Sequence, residues 1–200
     1  MATPKAQTLQ QRFGFADSQL ATPAHDQLMC ELDSRVSALC QGRFGGIERV
    51  KAQIKKEQEW CSTNEGIKAG YEWPTIEEVM GVTPTVSSKC WESPVMNEKY
   101  MVGFVDMRVF VQTPNVRSRS RSGDLGWTPV LVMETNCVSI EVKPVIPSVG
   151  ELIRQLRMYQ QYGERGEIFA VASPDTQWIS VLLDQGIEFI DTNTWEWHHR

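Results

Sequence analysis

A short run that alternates apolar and polar residues and ends at Lys143 constrains the fold more than any other feature of the chain. Val138, Ile140 and Val142 occupy alternate positions, with polar residues between them. Side chains of a β-strand alternate between two faces, so these three residues form one apolar face, while Glu141 and Lys143 share the opposite one. The pattern therefore predicts a strand with a core on one side and an acid–base pair on the other.

Glu141 and Lys143 on one strand face can act together chemically. A carboxylate and an ammonium two residues apart can hold a divalent cation with a water molecule beside it. A second carboxylate from a neighbouring strand would complete a site that hydrolyses phosphodiesters. The ordinary alternative is an ion pair on the surface of a strand, since a Glu-x-Lys triplet arises by chance roughly once in a chain of this size.

Asp106 is the candidate for that second carboxylate. It lies within Met101–Val111, a run that is rich in β-branched and aromatic residues and apolar on both sides of the acid. Such a run is typical of a mostly buried strand. A buried carboxylate is costly unless it has a cation or several hydrogen-bond donors, so Asp106 needs a partner. The structural alternative to a cation is a salt bridge to Arg108 or Lys143.

The other predicted elements follow in an order typical of an α/β domain. Ser148 has capping-box spacing to the acid three residues later, which predicts a helix that carries Gln155 and Tyr159 one turn apart on one face. Val86–Val95 is predicted as the first core strand, and its Glu92 could approach the metal but is not assigned to the site. The further predicted elements are a helix at 47–61, a strand at 167–172, a helix near 176–185 and a strand at 187–190.

Asp106, the Glu141-Val142-Lys143 triplet and the Gln155-x-x-x-Tyr159 element together resemble the PD-(D/E)xK nuclease superfamily. The last element resembles in particular the RecB-like branch, which includes the CRISPR-associated adaptation nucleases. The resemblance covers roughly residues 20 to 192 and includes the order helix, strand, strand, strand, helix, strand.

The chain departs from the family pattern in two places. Val105 precedes the acid where proline is usual, which is a common variation. The 35 positions from Asp106 to Glu141 form a long gap, which implies an extended hairpin between the two acidic strands.

The resemblance implies an α/β fold, with a central mixed β-sheet flanked by helices and a restriction-endonuclease-like core. It also implies an Mg²⁺- or Mn²⁺-dependent deoxyribonuclease with a one- or two-metal site. Both cations prefer hard oxygen ligands, so Asp106 and Glu141 are the expected ligands, with the Val142 carbonyl a further one. Lys143 is expected to position or deprotonate the attacking water. The Gln-x-x-x-Tyr pair is expected to orient the substrate and the lysine from the next helix.

His25 is a further candidate ligand, because the RecB-like branch often carries a metal-binding histidine on its first helix. Thr22-Pro23 is a favourable helix start, and a helical wheel places His25 near the centre of an apolar face. That face consists of Leu28, Met29, Leu32, Val36 and Leu39. The alternative is a core histidine that binds a backbone carbonyl. Glu31 is a weaker candidate, since some superfamily members use a helix Glu near the metal.

Length and charge bound the domain organisation and the DNA contact. The 200 residues predict a single nuclease-like domain over residues 21–200 after a loose polar arm over residues 1–20. A net charge of −5 argues against generic nucleic-acid binding, so contact with DNA is expected to be local. Arg117, Arg119 and Arg121 are predicted to form a flexible hairpin tip that binds DNA phosphates. The alternative is a soluble loop.

Cysteine usage and hydropathy exclude several classes of protein. Five cysteines without a C-x-x-C pair indicate reduced thiols in a cytoplasmic setting and argue against a zinc site. No cysteine follows position 137, which argues against the iron–sulfur cluster of some RecB-like nucleases. No apolar stretch approaches the roughly 20 residues that cross a bilayer, and no signal-peptide pattern is present, so no membrane partner is expected. A homodimer or an accessory protein stays open as a partner.

Two other functional classes stay open. One is a catalytically inactive nuclease fold that serves as a nucleic-acid-binding or assembly module, whose hallmark would be a broken Asp/Glu/Lys set. The other is a metabolic α/β enzyme or a structural domain, although a glycine-rich phosphate loop and a nucleophile elbow are both lacking. Within the nuclease interpretation, a restriction- or homing-type endonuclease competes with a RecB-like end-processing exonuclease.

Overall fold

The computed structural model describes residues 23–63, 72–120 and 127–200, and the arm predicted for residues 1–20 lies outside them. The described helices are α1 (Pro23–Phe44), α2 (Ile47–Thr63), α3 (Ile76–Met80), α4 (Val149–Tyr162) and α5 (Ile179–Asp184), with a short 3-10 helix at Thr176–Trp178. The described strands are β1 (Thr85–Asn97), β2 (Tyr100–Ser120), β3 (Trp127–Val142), β4 (Ile168–Ser173), β5 (Glu188–Asp191) and β6 (Glu196–His198).

The six described strands form one sheet in the order β1-β2-β3-β4-β5-β6. Strand β3 is parallel to β4, which is parallel to β5, whereas β5 and β6 are antiparallel. A helix connects each parallel pair, as the parallel geometry requires. The sheet is therefore mixed and flanked by helices, and the predicted α/β class with a central mixed sheet is confirmed.

The chain packs as two compact units. The first contains residues 23–39, 88–109 and 137–200, and the second contains residues 40–63, 72–87, 110–120 and 127–136. Every residue that the sequence predicts for catalysis or metal binding lies in the first unit. The prediction of one domain over residues 21–200 stays a prediction.

Helix α4 forms where the sequence predicts it, because its start is capped and one face is apolar. The Ser148 side chain accepts a hydrogen bond from the Glu151 backbone N–H at the start of the helix. Leu152, Leu156 and Tyr159 follow at helical spacing and are buried against β4 and β5. Burial of each such side chain stabilises the fold by about 1.5–3 kcal/mol, which fixes the helix that carries the Gln-x-x-x-Tyr pair.

Helix α1 buries the apolar face that the helical wheel predicts, including Leu32 and Val36, which have no exposed area. Asp33 ties this helix to strand β1. Its carboxylate lies 2.7 Å from the Lys89 ammonium and accepts a hydrogen bond of 2.9 Å from the Trp91 indole. These contacts set the position of His25 two turns earlier on the same helix. None of the described helices has the length and apolar character needed to cross a bilayer.

Candidate active site

Glu141 is a buried carboxylate at the end of β3, with only 3% of its surface exposed. Its Oε1 lies 2.7 Å from the Lys143 Nζ and accepts a hydrogen bond of 2.9 Å from the Gln155 Nε2. Its Oε2 is also buried but accepts no hydrogen bond from any residue that the structure describes. An ionised carboxylate with one unsatisfied buried oxygen is costly, so this atom identifies a place where a further partner belongs.

Asp106 on β2 lies beside Glu141, and its two oxygens have different partners. Its Oδ2 accepts a hydrogen bond of 2.7 Å from the Val142 backbone N–H, and its Oδ1 lies 3.3 Å from the His25 Nε2. Arg108, a salt-bridge partner considered from the sequence, instead donates to Glu167 at 3.2 Å. The structure therefore brings the two predicted acids together, since Asp106 binds the backbone of the residue that follows Glu141.

The charges of the two acids are unequal. Burial and the neighbouring charge of Asp106 raise the pKa of Glu141 to about 7. Burial opposes ionisation of Asp106 as well, but hydrogen bonding to His25 and the charge of Lys143 outweigh it and lower the pKa of Asp106. Two neighbouring buried carboxylates thus share the same nearby positive groups.

Lys143 is held as an ammonium. Burial alone would lower the pKa of Lys143, but the carboxylates of Glu141 and Asp106 outweigh burial and raise it. At neutral pH the lysine therefore donates hydrogen bonds rather than accepting a proton.

Gln155 and Tyr159 connect helix α4 to the acids. The Gln155 amide donates to the Tyr159 hydroxyl at 3.0 Å and to Glu141, so one side chain links the ring to the carboxylate. Tyr159 is buried, and burial raises the pKa of its hydroxyl to about 12. The phenol is therefore neutral at physiological pH.

Gly103 is a packing position beside the site that the sequence analysis did not single out. A Cβ atom on Gly103 would lie 2.8 Å from the Tyr159 Cε1, closer than real carbon contacts allow. The Tyr159 ring therefore packs directly on the backbone of β2, three residues before Asp106. The sequence signal was present, because an isolated glycine inside a strand-like run marks a close approach of another group.

His25 lies in the cluster, whereas Glu31 has another partner. The imidazole contacts Asp106 through Nε2 and lies 3.5 Å from the Asp26 carboxylate through Nδ1. Burial opposes protonation of His25, but the hydrogen bond to Asp106 and its charge prevail and raise the pKa of His25. Glu31 accepts a hydrogen bond from Gln27 on the exposed side of the helix.

Glu92 on β1 is a further acid near this cluster. Its backbone φ of 48° lies in the left-handed region, and its side chain is half-buried. Burial and the charge of Asp106 raise the pKa of Glu92. The sequence placed Glu92 on a strand but did not assign it to the site.

The predicted arginine tip differs from the structure at its first two arginines. Strand β2 continues to Ser120, so Arg117 and Arg119 both belong to the strand and not to a flexible loop. The Arg117 guanidinium lies 2.8 Å from the Glu57 carboxylate and 2.5 Å from that of Glu134. Arg119 is exposed, and Arg121 lies outside the described residues.

The donor set can be tested against a hard divalent cation. In the residues 23–63, 72–120 and 127–200, no three His, Cys, Asp or Glu side chains are grouped closely enough to hold a metal as they stand. Mg²⁺, however, is bound in proteins by one or two carboxylates together with water. Asp106 and Glu141 supply two neighbouring carboxylates. The buried Glu141 Oε2 has no hydrogen-bond partner among the described residues, so the pair fits that requirement.

Comparisons with known proteins give no match: no family model, no curated protein and no solved structure is similar to this chain.

Gly103→Ala should displace Tyr159 and lower the free energy of unfolding by about 1–3 kcal/mol, because the new methyl group overlaps the ring. Gly150→Ala is the matched control. A Cβ there meets only the Arg154 guanidinium at 3.8 Å, so unfolding should be unchanged or slightly harder. Urea unfolding of both variants measures the difference, and equal stabilities would show that the ring does not lie against Gly103.

Without divalent cations, the free energy of unfolding should fall as pH rises. Glu141 binds its proton more tightly in the folded protein, so its contribution is complete below pH about 4.5 and is lost as pH rises through about 7. The loss should amount to roughly 3 kcal/mol. In the Glu141→Gln variant, the free energy of unfolding should not show this part of the decrease with pH. Denaturant unfolding between pH 5 and pH 8 in chelator measures both proteins, and parallel pH profiles would refute the buried, proton-binding Glu141.

Proposed function

We propose that this protein is a metal-dependent DNA nuclease that hydrolyses phosphodiester bonds with a one- or two-metal site. The observation that carries the proposal is the buried Glu141 carboxylate, which has the Lys143 ammonium on one oxygen and no hydrogen-bond partner among the described residues on the other. This is the arrangement that the resemblance to the RecB-like branch of the PD-(D/E)xK superfamily implies. The mixed sheet and the helix order support the same assignment.

Asp106 and Glu141 would hold Mg²⁺ or Mn²⁺, with the Val142 carbonyl and His25 as further ligands. When bound, the cation supplies Lewis-acid polarisation of the phosphate and a water of lowered pKa. The protein prepares for this by keeping the Asp106 pKa low through His25 and Lys143. A cation would also replace the proton that burial favours on Glu141.

Lys143 then acts through its protonated form. Its ammonium is fixed at 2.7 Å from Glu141, so it can donate to a phosphate oxygen or orient a water without losing its charge first. Of the two roles expected from the sequence, positioning and charge stabilisation fit the raised pKa of Lys143 better than proton abstraction. Gln155 would hold both Glu141 and Tyr159 in place as the substrate binds.

The DNA contact must be local, because the chain as a whole is acidic. Arg119 and Arg121 are the arginines proposed for phosphate binding. Arg117 is already paired with two carboxylates, those of Glu57 and Glu134, so little of its charge is left to attract a phosphate.

Lys143→Ala should reduce cleavage by about 100-fold or more and leave DNA affinity within a few-fold, because a charge at the reacting centre matters most in the transition state. Lys99→Ala is the control, since Lys99 is an exposed lysine in the turn before β2. Cleavage of closed circular and linear DNA is measured with Mg²⁺, with Mn²⁺ and with excess chelator.

Cleavage of circular DNA would identify an endonuclease, and cleavage of linear DNA alone would identify an end-processing exonuclease. DNA binding without metal-dependent cleavage would replace the proposal with a nucleic-acid-binding module built on a nuclease fold. Cleavage that persists in chelator would contradict the metal mechanism.

Arg117→Ala should change the stability of the fold, whereas Arg119→Ala should change the binding of DNA. The first leaves Glu57 and Glu134 without their cation, and it should destabilise the fold by about 1–2 kcal/mol, since Arg117 is partly screened by solvent. The second should leave stability unchanged but make the salt dependence of duplex binding shallower by roughly 0.9. Thermal unfolding and affinity against salt measure both, and an unchanged salt slope for Arg119→Ala would exclude it from the DNA contact.

A further inference from the structure

Helix α2 turns a polar face toward strand β2 in the second compact unit. Arg49, Gln53 and Glu57 are spaced four residues apart, so they lie on one side of the helix. Arg49 donates to the Thr113 hydroxyl of β2 at 3.3 Å. Two turns later, the Glu57 carboxylate lies 2.8 Å from the Arg117 guanidinium of the same strand. Gln53 lies between these two contacts and is therefore on the side of α2 that faces β2.

Arg49 is a half-buried cation that has no carboxylate partner among the described residues. Its guanidinium donates to neutral groups instead, which are the Thr113 hydroxyl and the carbonyl oxygens of Phe44 and Pro114. These hydrogen bonds are long, at 3.3–3.5 Å, and a guanidinium has five N–H donors to place. Arg117 in the same unit differs, because it is paired with two carboxylates.

A second guanidinium adds to the positive charge beside Arg49. The guanidinium carbons of Arg43 and Arg49 lie 5.2 and 5.9 Å from the centre of the same ring, that of Phe44. Burial first, and the charge of Arg43 second, lower the pKa of Arg49. Glu134 acts in the opposite direction, but its carboxylate already binds Arg117. An anion beside the two arginines would offset their mutual repulsion.

Gln53 independently indicates a missing acceptor on the same face of α2. Its Nε2 is buried and has no hydrogen-bond partner among the described residues. Buried N–H groups are nearly always paired, so an acceptor is expected at this nitrogen. Because Gln53 is one helical turn from Arg49, one group with several negatively charged oxygens can serve both side chains.

We propose that Arg43, Arg49 and Gln53 form a binding site for a phosphate group, either of a DNA strand or of a small phosphate ion. A phosphate supplies charge to the guanidiniums, matches their planar fork and has oxygens left for the amide. The site goes beyond the proposed nuclease site, because its residues belong to the second compact unit and the predicted catalytic acids belong to the first.

Three variants separate phosphate binding from folding. Arg49→Met removes the charge and keeps much of the apolar stem. Lys51→Met is its matched control, since Lys51 is an exposed cation on the same helix and is paired with Glu48 at 2.8 Å. Gln53→Leu replaces the buried amide with an apolar side chain of similar size. It removes a donor without a partner, so the fold should be at least as stable as the wild type.

The first measurement is the melting temperature of the full chain in chelator as inorganic phosphate is added at constant ionic strength. Phosphate raises the melting temperature of every variant alike through its exclusion from protein surfaces, so the difference between variants reports the site. The increase for the wild type and Lys51→Met should exceed that for Arg49→Met and Gln53→Leu by about 2–4 °C. Gln53→Leu decides the result if Arg49→Met does not fold.

The second measurement is the affinity for duplex DNA against salt, also in chelator. A salt dependence that is shallower by roughly 0.9 for Arg49→Met and unchanged for Lys51→Met would identify the group as a DNA phosphate. An unchanged salt dependence together with a smaller response of Arg49→Met to inorganic phosphate would identify a small phosphate ligand.

Wild-type responses of both Arg49→Met and Gln53→Leu to inorganic phosphate, with an unchanged salt dependence of DNA binding, would overturn the inference. Both measurements are made without divalent cations, so neither depends on metal-dependent cleavage. A protein that cleaves no DNA with Mg²⁺ would contradict the proposed nuclease and leave the result for the phosphate site unchanged.

Discussion

The burial of Glu141 beside Asp106 is the constraint on which the rest of the site depends. A carboxylate with 3% exposure forfeits hydration, and a second acid next to it adds repulsion. The fold offsets this with one ammonium, one amide donor and one backbone N–H, and leaves one buried oxygen without a donor among the described residues. Well-packed apolar residues in place of a buried ion pair are often equally or more stable, so the cost of this pair supports the cation proposed for the site.

A second buried ionic cluster in the same unit shows what a satisfied one looks like. Glu167, whose side chain is 1% exposed, accepts hydrogen bonds from Arg108 and Ser139 and also from the Glu164 backbone N–H at 2.7 Å. Ser139 is only two residues before Glu141 on β3, and the physical setting is similar. Because Glu167 has a full set of donors, it needs no ligand and serves to hold the chain that follows α4. Of these two buried acids, Glu141 is the one with an oxygen that lacks a hydrogen-bond donor among the described residues.

Strand parity was enough to predict the core of the site from the sequence. Side chains repeat every two residues along a strand, which put Glu141 and Lys143 on one face of β3. They repeat every 3.6 residues along a helix, which put Gln155 and Tyr159 on one side of α4. Both patterns follow from backbone geometry alone. The length of β2 was underestimated, since Arg117 is stabilised in the strand by Glu57 and Glu134, and such long-range pairs carry no local signal. The strained backbone of Glu92 was equally invisible, because left-handed φ is predictable at glycine and not at glutamate.

The central claim is that a cation replaces the proton on Glu141. It is tested most directly by the ¹³C chemical shift of the Glu141 carboxyl carbon, followed against pH in chelator and in saturating Mg²⁺. In chelator the carboxyl should titrate with a pKa of about 7, and with Mg²⁺ its pKa should fall below that of an ordinary glutamate. A Glu141 titration that is identical with and without Mg²⁺ would contradict the account.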